Sequence, residues 1–257
     1  MNSMRSMVWM RGVSFAAAAS AVIFASHPVA AEPTEIMVRA LAADAKFIGT
    51  SMGGMGVTIR DVRSGDTLAS GTTEGPTGNT DAIMQAAGRS PARTDGDAAG
   101  YLAIIDIDEP TLVELTVEGP LEHPGSATIV TARRWVMPGQ DMITADGWVI
   151  EVPGIVITPK VAHVGDYLEL TPTIELMCGC PITTDGLWRA DDYTVEASLW
   201  QEGILVGKSG LSFASDPGGF SGRTLAPSPG HYSLVLHAKN IVTGNSGVLM
   251  TPLSITQ

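Results

Sequence analysis

From residue 36 onward, apolar and polar residues alternate in short runs, and Gly, Pro, Asp or Asn closes each run before a helical repeat can develop. Alternation with a period of two gives a strand one apolar and one polar face, whereas a surface helix needs apolar residues spaced by its own turn. The chain is therefore expected to be all-β. In the first half, strands are expected at 36–41, 46–50, 56–62, 67–73, 101–107, 111–118, 127–133 and 148–152, with one short helix at 80–87. In the second half they are expected at 167–177, 193–200, 204–208, 222–225, 231–238 and 247–255, and the apolar run bracketed by Pro153-Gly154 and Pro159 is a candidate first strand. The expected architecture is two consecutive β-sandwich domains, 32–153 and 154–257, joined near residues 153–160.

Residues 1–31 carry Arg5 and Arg11, then an uncharged run over 13–25, then Val29-Ala30-Ala31 before Glu32. That order is a secretory signal peptide with a small-residue cleavage site after Ala31. The run is shorter than the about 20 apolar residues that span a bilayer. The mature protein is therefore expected to be periplasmic or secreted, with no stable membrane anchor after cleavage.

Charge narrows the partners. Without the two signal arginines the chain has 13 basic residues against 27 acidic ones, a net charge of −14. No basic cluster offsets that field, so a nucleic-acid partner is excluded and an anionic membrane surface is disfavoured. Another exported protein is the partner class left open.

Two short stretches carry resemblances to known folds. The segment Val57-Thr58-Ile59-Arg60-Asp61-Val62-Arg63-Ser64-Gly65-Asp66-Thr67-Leu68-Ala69-Ser70-Gly71-Thr72-Thr73 has hairpin turn chemistry at Arg63-Ser64-Gly65-Asp66. It resembles the opening hairpin of carboxypeptidase regulatory-like domains, which are small transthyretin-like sandwiches. Pro229-Gly230-His231-Tyr232-Ser233-Leu234 resembles the corner that leads into the sixth strand of bacterial immunoglobulin-like domains. The resemblances imply a transthyretin-like sandwich followed by an immunoglobulin-like one, and no activity. Between them, the Gly- and Thr-rich stretch 74–100 is long for a sandwich connection, so it is expected to be functional or mobile.

Chemistry is concentrated in Glu175-Leu176-Met177-Cys178-Gly179-Cys180-Pro181, which holds both cysteines of the chain. Alternation places Leu168, Leu170, Ile174 and Leu176 inward, so Met177 is expected to face solvent and the thiols to sit at the accessible end of the second sandwich. Tyr232, Leu234, Leu236 and Ala238 form the inward face of a neighbouring strand, which leaves His237 outward and the nearest nitrogen donor. His163 and His123 are not expected to reach the thiols. Three readings stay open. A soft-metal site would use Met177, Cys178, Cys180 and His237, with copper first and zinc, aided by Glu175 or Asp185, second. A local disulfide suits an oxidising compartment. A thiol–disulfide exchange centre would be a reducible form of that bond. The turn Met52-Gly53-Gly54-Met55-Gly56 offers two further thioethers, for which packing is the commoner role.

Met177-Cys178-Gly179-Cys180-Pro181-Ile182 followed by Gly186-Leu187-Trp188 also resembles a run in uncharacterised exported bacterial proteins, which implies one site for Met177, Cys178, Cys180 and Trp188 and no activity. Enzyme signatures do not occur: in Gly219-Phe220-Ser221-Gly222-Arg223 an Arg stands where a nucleophile elbow needs Gly. A non-enzymatic protein is expected, either metal-binding or a two-module interaction protein.

Overall fold

Alternation becomes strand almost throughout the computed structural model, which describes residues 32–88, 92–94 and 96–256. The expected signal segment, 1–31, lies outside the described residues. The strands of the first half are β1 (Glu32–Ala42), β2 (Gly56–Asp61), β3 (Thr67–Thr72), β4 (Tyr101–Ile107), β5 (Thr111–Gly119), β6 (Thr128–Val136) and β7 (Trp148–Val152). Those of the second half are β8 (Ile155–Thr158), β9 (Val161–Val164), β10 (Tyr167–Leu170), β11 (Thr173–Leu176), β12 (Tyr193–Gln201), β13 (Ile204–Ser215), β14 (Gly219–Leu225), β15 (Gly230–Asn240) and β16 (Ser246–Ile255). Among the described residues a single short α-helix, α1 (Thr80–Met84), is capped by the Asn79 side chain, which accepts from the Ala82 N–H. Among the described residues no helix is long and apolar enough to cross a membrane.

Strands β1–β7 form two sheets, ordered β4-β1-β7 and β3-β2-β5-β6, in which β1 runs antiparallel to β4 and parallel to β7. Strands β8–β16 form one connected sheet along β16-β15-β12-β13-β14-β10-β9, with β11 joining β14 to β8. Long β13 makes this continuous, because its first part pairs with β12 and its last part with β14. Among the described residues, no strand before residue 153 pairs with one after 154.

Alternation fixes the buried faces. Ile36, Val38 and Ala40, Val57 and Ile59, Val113, Leu115 and Val117, and Leu234 and Leu236 are all buried at every second position. One hydrophobic cluster runs through both halves, from Ile36 to Ile255.

Two expectations are corrected. At 46–50 there is no strand, only a bridge between Leu41 and Phe47 followed by a 3-10 turn over Thr50–Met52. The expected single strand 167–177 is broken at Pro172, which has no N–H to continue a ladder, into β10 on β14 and β11 on β8. Of the stretch 74–100, expected to be functional or mobile, most described residues are exposed or half-buried and three are buried. Its Ile83, Ala98 and Ala99 join Leu41 and Phe47 in a second small core on the outer face of the β4-β1-β7 sheet. Buried Arg39 donates to the carbonyls of Ala98 and Ala99, and buried Asp146 accepts from the Arg93 and Thr94 amides. Burial lowers the Arg39 pKa, and the Asp146 charge opposes that shift.

Candidate functional site

The sulfur turn begins where β11 ends. The Gly179 N–H donates to the Leu176 carbonyl at 2.8 Å, and the Leu176 N–H donates to the Cys180 carbonyl at 3.2 Å. Glu175 bridges Pro181, so residues 175–181 double back tightly on themselves. Gly179 holds φ at +73°, a conformation that L side chains resist. The turn brings Cys178 and Cys180 together as a disulfide with a Cα–Cα distance of 5.3 Å.

The turn is buried, against expectation. Met177 is 0 % exposed, Cys178 1 % and Cys180 4 %. Alternation ends where the chain turns, and the cover comes from the other half of the molecule. A Cβ placed on Gly179 would lie 2.7 Å from the Met52 Sδ, so the 3-10 turn Thr50–Met52 seats its thioether on the one residue between the cysteines. Met177 packs on Gly154, where the halves join: a Cβ there would lie 3.0 Å from its Sδ. Met177 therefore faces the junction and not solvent.

Other groups converge on the same seam. The Trp188 Nε1 donates to the Asp44 carbonyl at 2.7 Å, so this indole closes the junction beside the turn that precedes Phe47. Asn245 donates from Nδ2 to the carbonyls of Gly154 and Ala43, at 3.0 and 3.4 Å, and its Oδ1 accepts from the Gly154 N–H. The Ile157 N–H donates to the Ser126 hydroxyl at 3.1 Å. Burial pushes the Glu175 carboxyl above its ordinary range, and the nearby His123 partly offsets this. His123, set aside on sequence grounds, thus acts within three residues of Cys178.

The expected nitrogen ligand is elsewhere. His237 lies on the half-exposed outer face of β15, between Glu196 on β12 and Val248 on β16, while its neighbours Leu236 and Ala238 point inward. Among the described residues, no three of His, Cys, Asp and Glu gather closely enough to hold a metal ion. Cys178, Cys180 and His237 are accordingly not brought together. Sequence reasoning missed the Met52 contact; its only signal was the Met-Gly-Gly-Met run itself.

A groove of about 230 Å³ follows the seam on the outside, lined by residues 126–128, 153–155 and 246–248. No family model matches the chain, and no curated protein matches it. Solved structures similar over most of its length include two from Bacteroides. A DUF3823 family protein from Bacteroides ovatus ATCC 8483 shares 9% identity at a TM-score of 0.32, covering 86% of this chain and 100% of that one. A "putative carbohydrate binding protein" from Bacteroides uniformis ATCC 8492 shares 10% identity at a TM-score of 0.28, covering 86% and 99%. Likeness at that level says nothing about a site.

Proposed function

We propose that this is an exported, non-enzymatic protein of two β-sandwich modules, 32–153 and 154–257, whose Cys178–Cys180 bond is a reducible latch on the junction that fixes how the modules present themselves to another exported protein. The observation that carries this reading is the seating of Met52 on the disulfide turn. A bond that closes so small a ring constrains the unfolded chain little, by about 1.6 kcal/mol on the chain-entropy relation. Its larger effect is local: it holds the turn in the shape that Met52 covers. The half-exposed Gly179 is the opening through which a dithiol would approach.

Support for the module types is topological. The hairpin that resembles a transthyretin-like opening forms as β2–β3, within a seven-stranded pair of sheets. In the second module the Tyr232 hydroxyl donates to the Ser228 carbonyl at 2.7 Å, the corner bond that the immunoglobulin resemblance implies. Export to the periplasm or beyond belongs to the same proposal.

The test is a free-thiol count in denaturant on protein purified from the periplasm without reductant, with limited proteolysis before and after reduction. The expected result is no free thiol in the isolated protein and faster cleavage in 177–192 once it is reduced. Two free thiols in the isolated protein, or identical cleavage in both states, would overturn the latch.

A further inference from the structure

The sulfur atoms at the junction outnumber what a latch requires. A disulfide needs two, yet buried Met52 lies on the residue between the cysteines and buried Met177 follows directly on β11. Met52 reaches its place from the first half, more than a hundred residues away in sequence, and its backbone is held there. The Met52 N–H donates to the Gly49 carbonyl at 3.1 Å, and its own carbonyl accepts from the Glu122 N–H at 3.2 Å.

We propose that the reduced junction is a copper(I) site spanning both halves, with the Cys178 and Cys180 thiolates and the Met52 thioether as its ligands. The inference rests on the latch reading for the resting, oxidised state alone. A dithiol reductant first exchanges with the disulfide: its two thiols become a disulfide, and Cys178 and Cys180 each gain a proton. Copper already in the +1 state then displaces those two protons and is neither oxidised nor reduced. Three sulfur donors suit a soft ion. Zinc requires four ligands in a tetrahedron and finds no third His, Cys, Asp or Glu beside the cysteines among the described residues. His237 has no part, because the outer face of β15 carries it away from the turn. The ion would join a thioether of one half to two thiolates of the other, replacing the latch by a metal staple.

The experiment uses the full mature protein, reduced on an immobilised dithiol, freed of reductant and kept anaerobic. Copper(I) is titrated against the chromophoric chelator bicinchoninate, and X-ray absorption reads the ligand atoms. The expected result is one copper per reduced chain and none per oxidised chain. Cys178→Ser with Cys180→Ser should abolish binding; Met52→Leu should weaken it at least tenfold, and Met177→Leu should leave it unchanged. Parent protein should show sulfur scatterers only, a readout that stands even where Met52→Leu folds poorly. Binding by Met52→Leu as tight as the parent's, a nitrogen ligand in the spectrum, or no binding by the reduced parent would each overturn the site. The thiol count keeps the two readings apart. A disulfide-bonded protein that binds no copper when reduced leaves the latch and removes the staple. Free thiols in the isolated protein that bind copper through Cys178, Cys180 and Met52 remove the latch and leave the staple.

Discussion

Gly179→Ala tests the central contact of the junction. Two costs are superimposed at this position. Alanine at φ +73° carries a left-handed penalty of about 1–2 kcal/mol. Its methyl would also stand 2.7 Å from the Met52 Sδ and 3.4 Å from its Cγ, so a buried side chain must be displaced, at a further cost of about 1–3 kcal/mol. Gly203→Ala isolates the first cost. Gly203 sits at φ +81° in the β12–β13 turn, and a Cβ there would meet nothing within 4 Å. Urea unfolding followed by tryptophan fluorescence gives both differences as midpoint shifts at constant m. Gly203→Ala should lose about 1–2 kcal/mol and Gly179→Ala about 2–5 kcal/mol. In a Met52→Ala background the displacement disappears, so Gly179→Ala should fall to about the Gly203 value, which is a coupling between residues of the two halves. An equal cost of Gly179→Ala in the parent and Met52→Ala backgrounds would refute the contact, and with it both proposals for the site.

Three other outcomes are expected. Arg39→Met leaves the buried Ala98 and Ala99 carbonyls without their donor, so it should cost about 1–3 kcal/mol in urea unfolding and speed protease nicking within 74–100. Burial sets the folded-state pKa of Glu175 above the unfolded one, so folded protein binds more protons between the two values, and stability declines as pH rises through that window. Glu175→Gln should therefore be the more stable protein at neutral pH and gain nothing in acid, as melting temperatures across that range would show. Tyr232→Phe loses the corner bond to Ser228 and should cost about 0.5–1.5 kcal/mol by calorimetry.

Local pattern carried the fold because period-two alternation survives interruption. Leu168, Leu170, Ile174 and Leu176 are all buried although Pro172 parts them into two strands, β10 between β14 and β9 and β11 between β14 and β8, since the break preserves parity. The same rule failed at Met177. Parity predicts exposure there, but the chain stops being a strand after Leu176 and Met177 turns onto Gly154 at the junction, a contact no local pattern encodes. Short β9 was unexpected for a related reason: of Val161–Val164 only Val161 is even half-buried, so its pairing with β10 leaves no apolar signature. Arg39 was opaque as well. Both faces of β1 are buried from Val38 to Ala42, and only the covering stretch 74–100 explains how a charge could lie among them.

The disulfide turn matters because of what surrounds the connection between the halves. Two halves of a chain joined by a short linker such as Pro153-Gly154 would ordinarily be free to move if they were separate domains, since interfaces between domains of one chain are small and polar. Here a single apolar cluster crosses from one half to the other, and three fixed side-chain bonds, from Trp188 to Asp44, Asn245 to Ala43 and Ser126 to Ile157, tie loops of the first half to strands or loops of the second. Trp188 and Asn245 hold the adjacent residues Asp44 and Ala43 while Ser126 holds β8, so movement at the linker would have to break several bonds at once. The turn is the one part of that seam whose shape depends on a bond that chemistry can open. Opening it removes the constraint beneath Met52 and leaves the ties through Asn245 and Ser126 in place. A change of redox state is therefore expected to loosen residues 177–192 locally, without separating the halves.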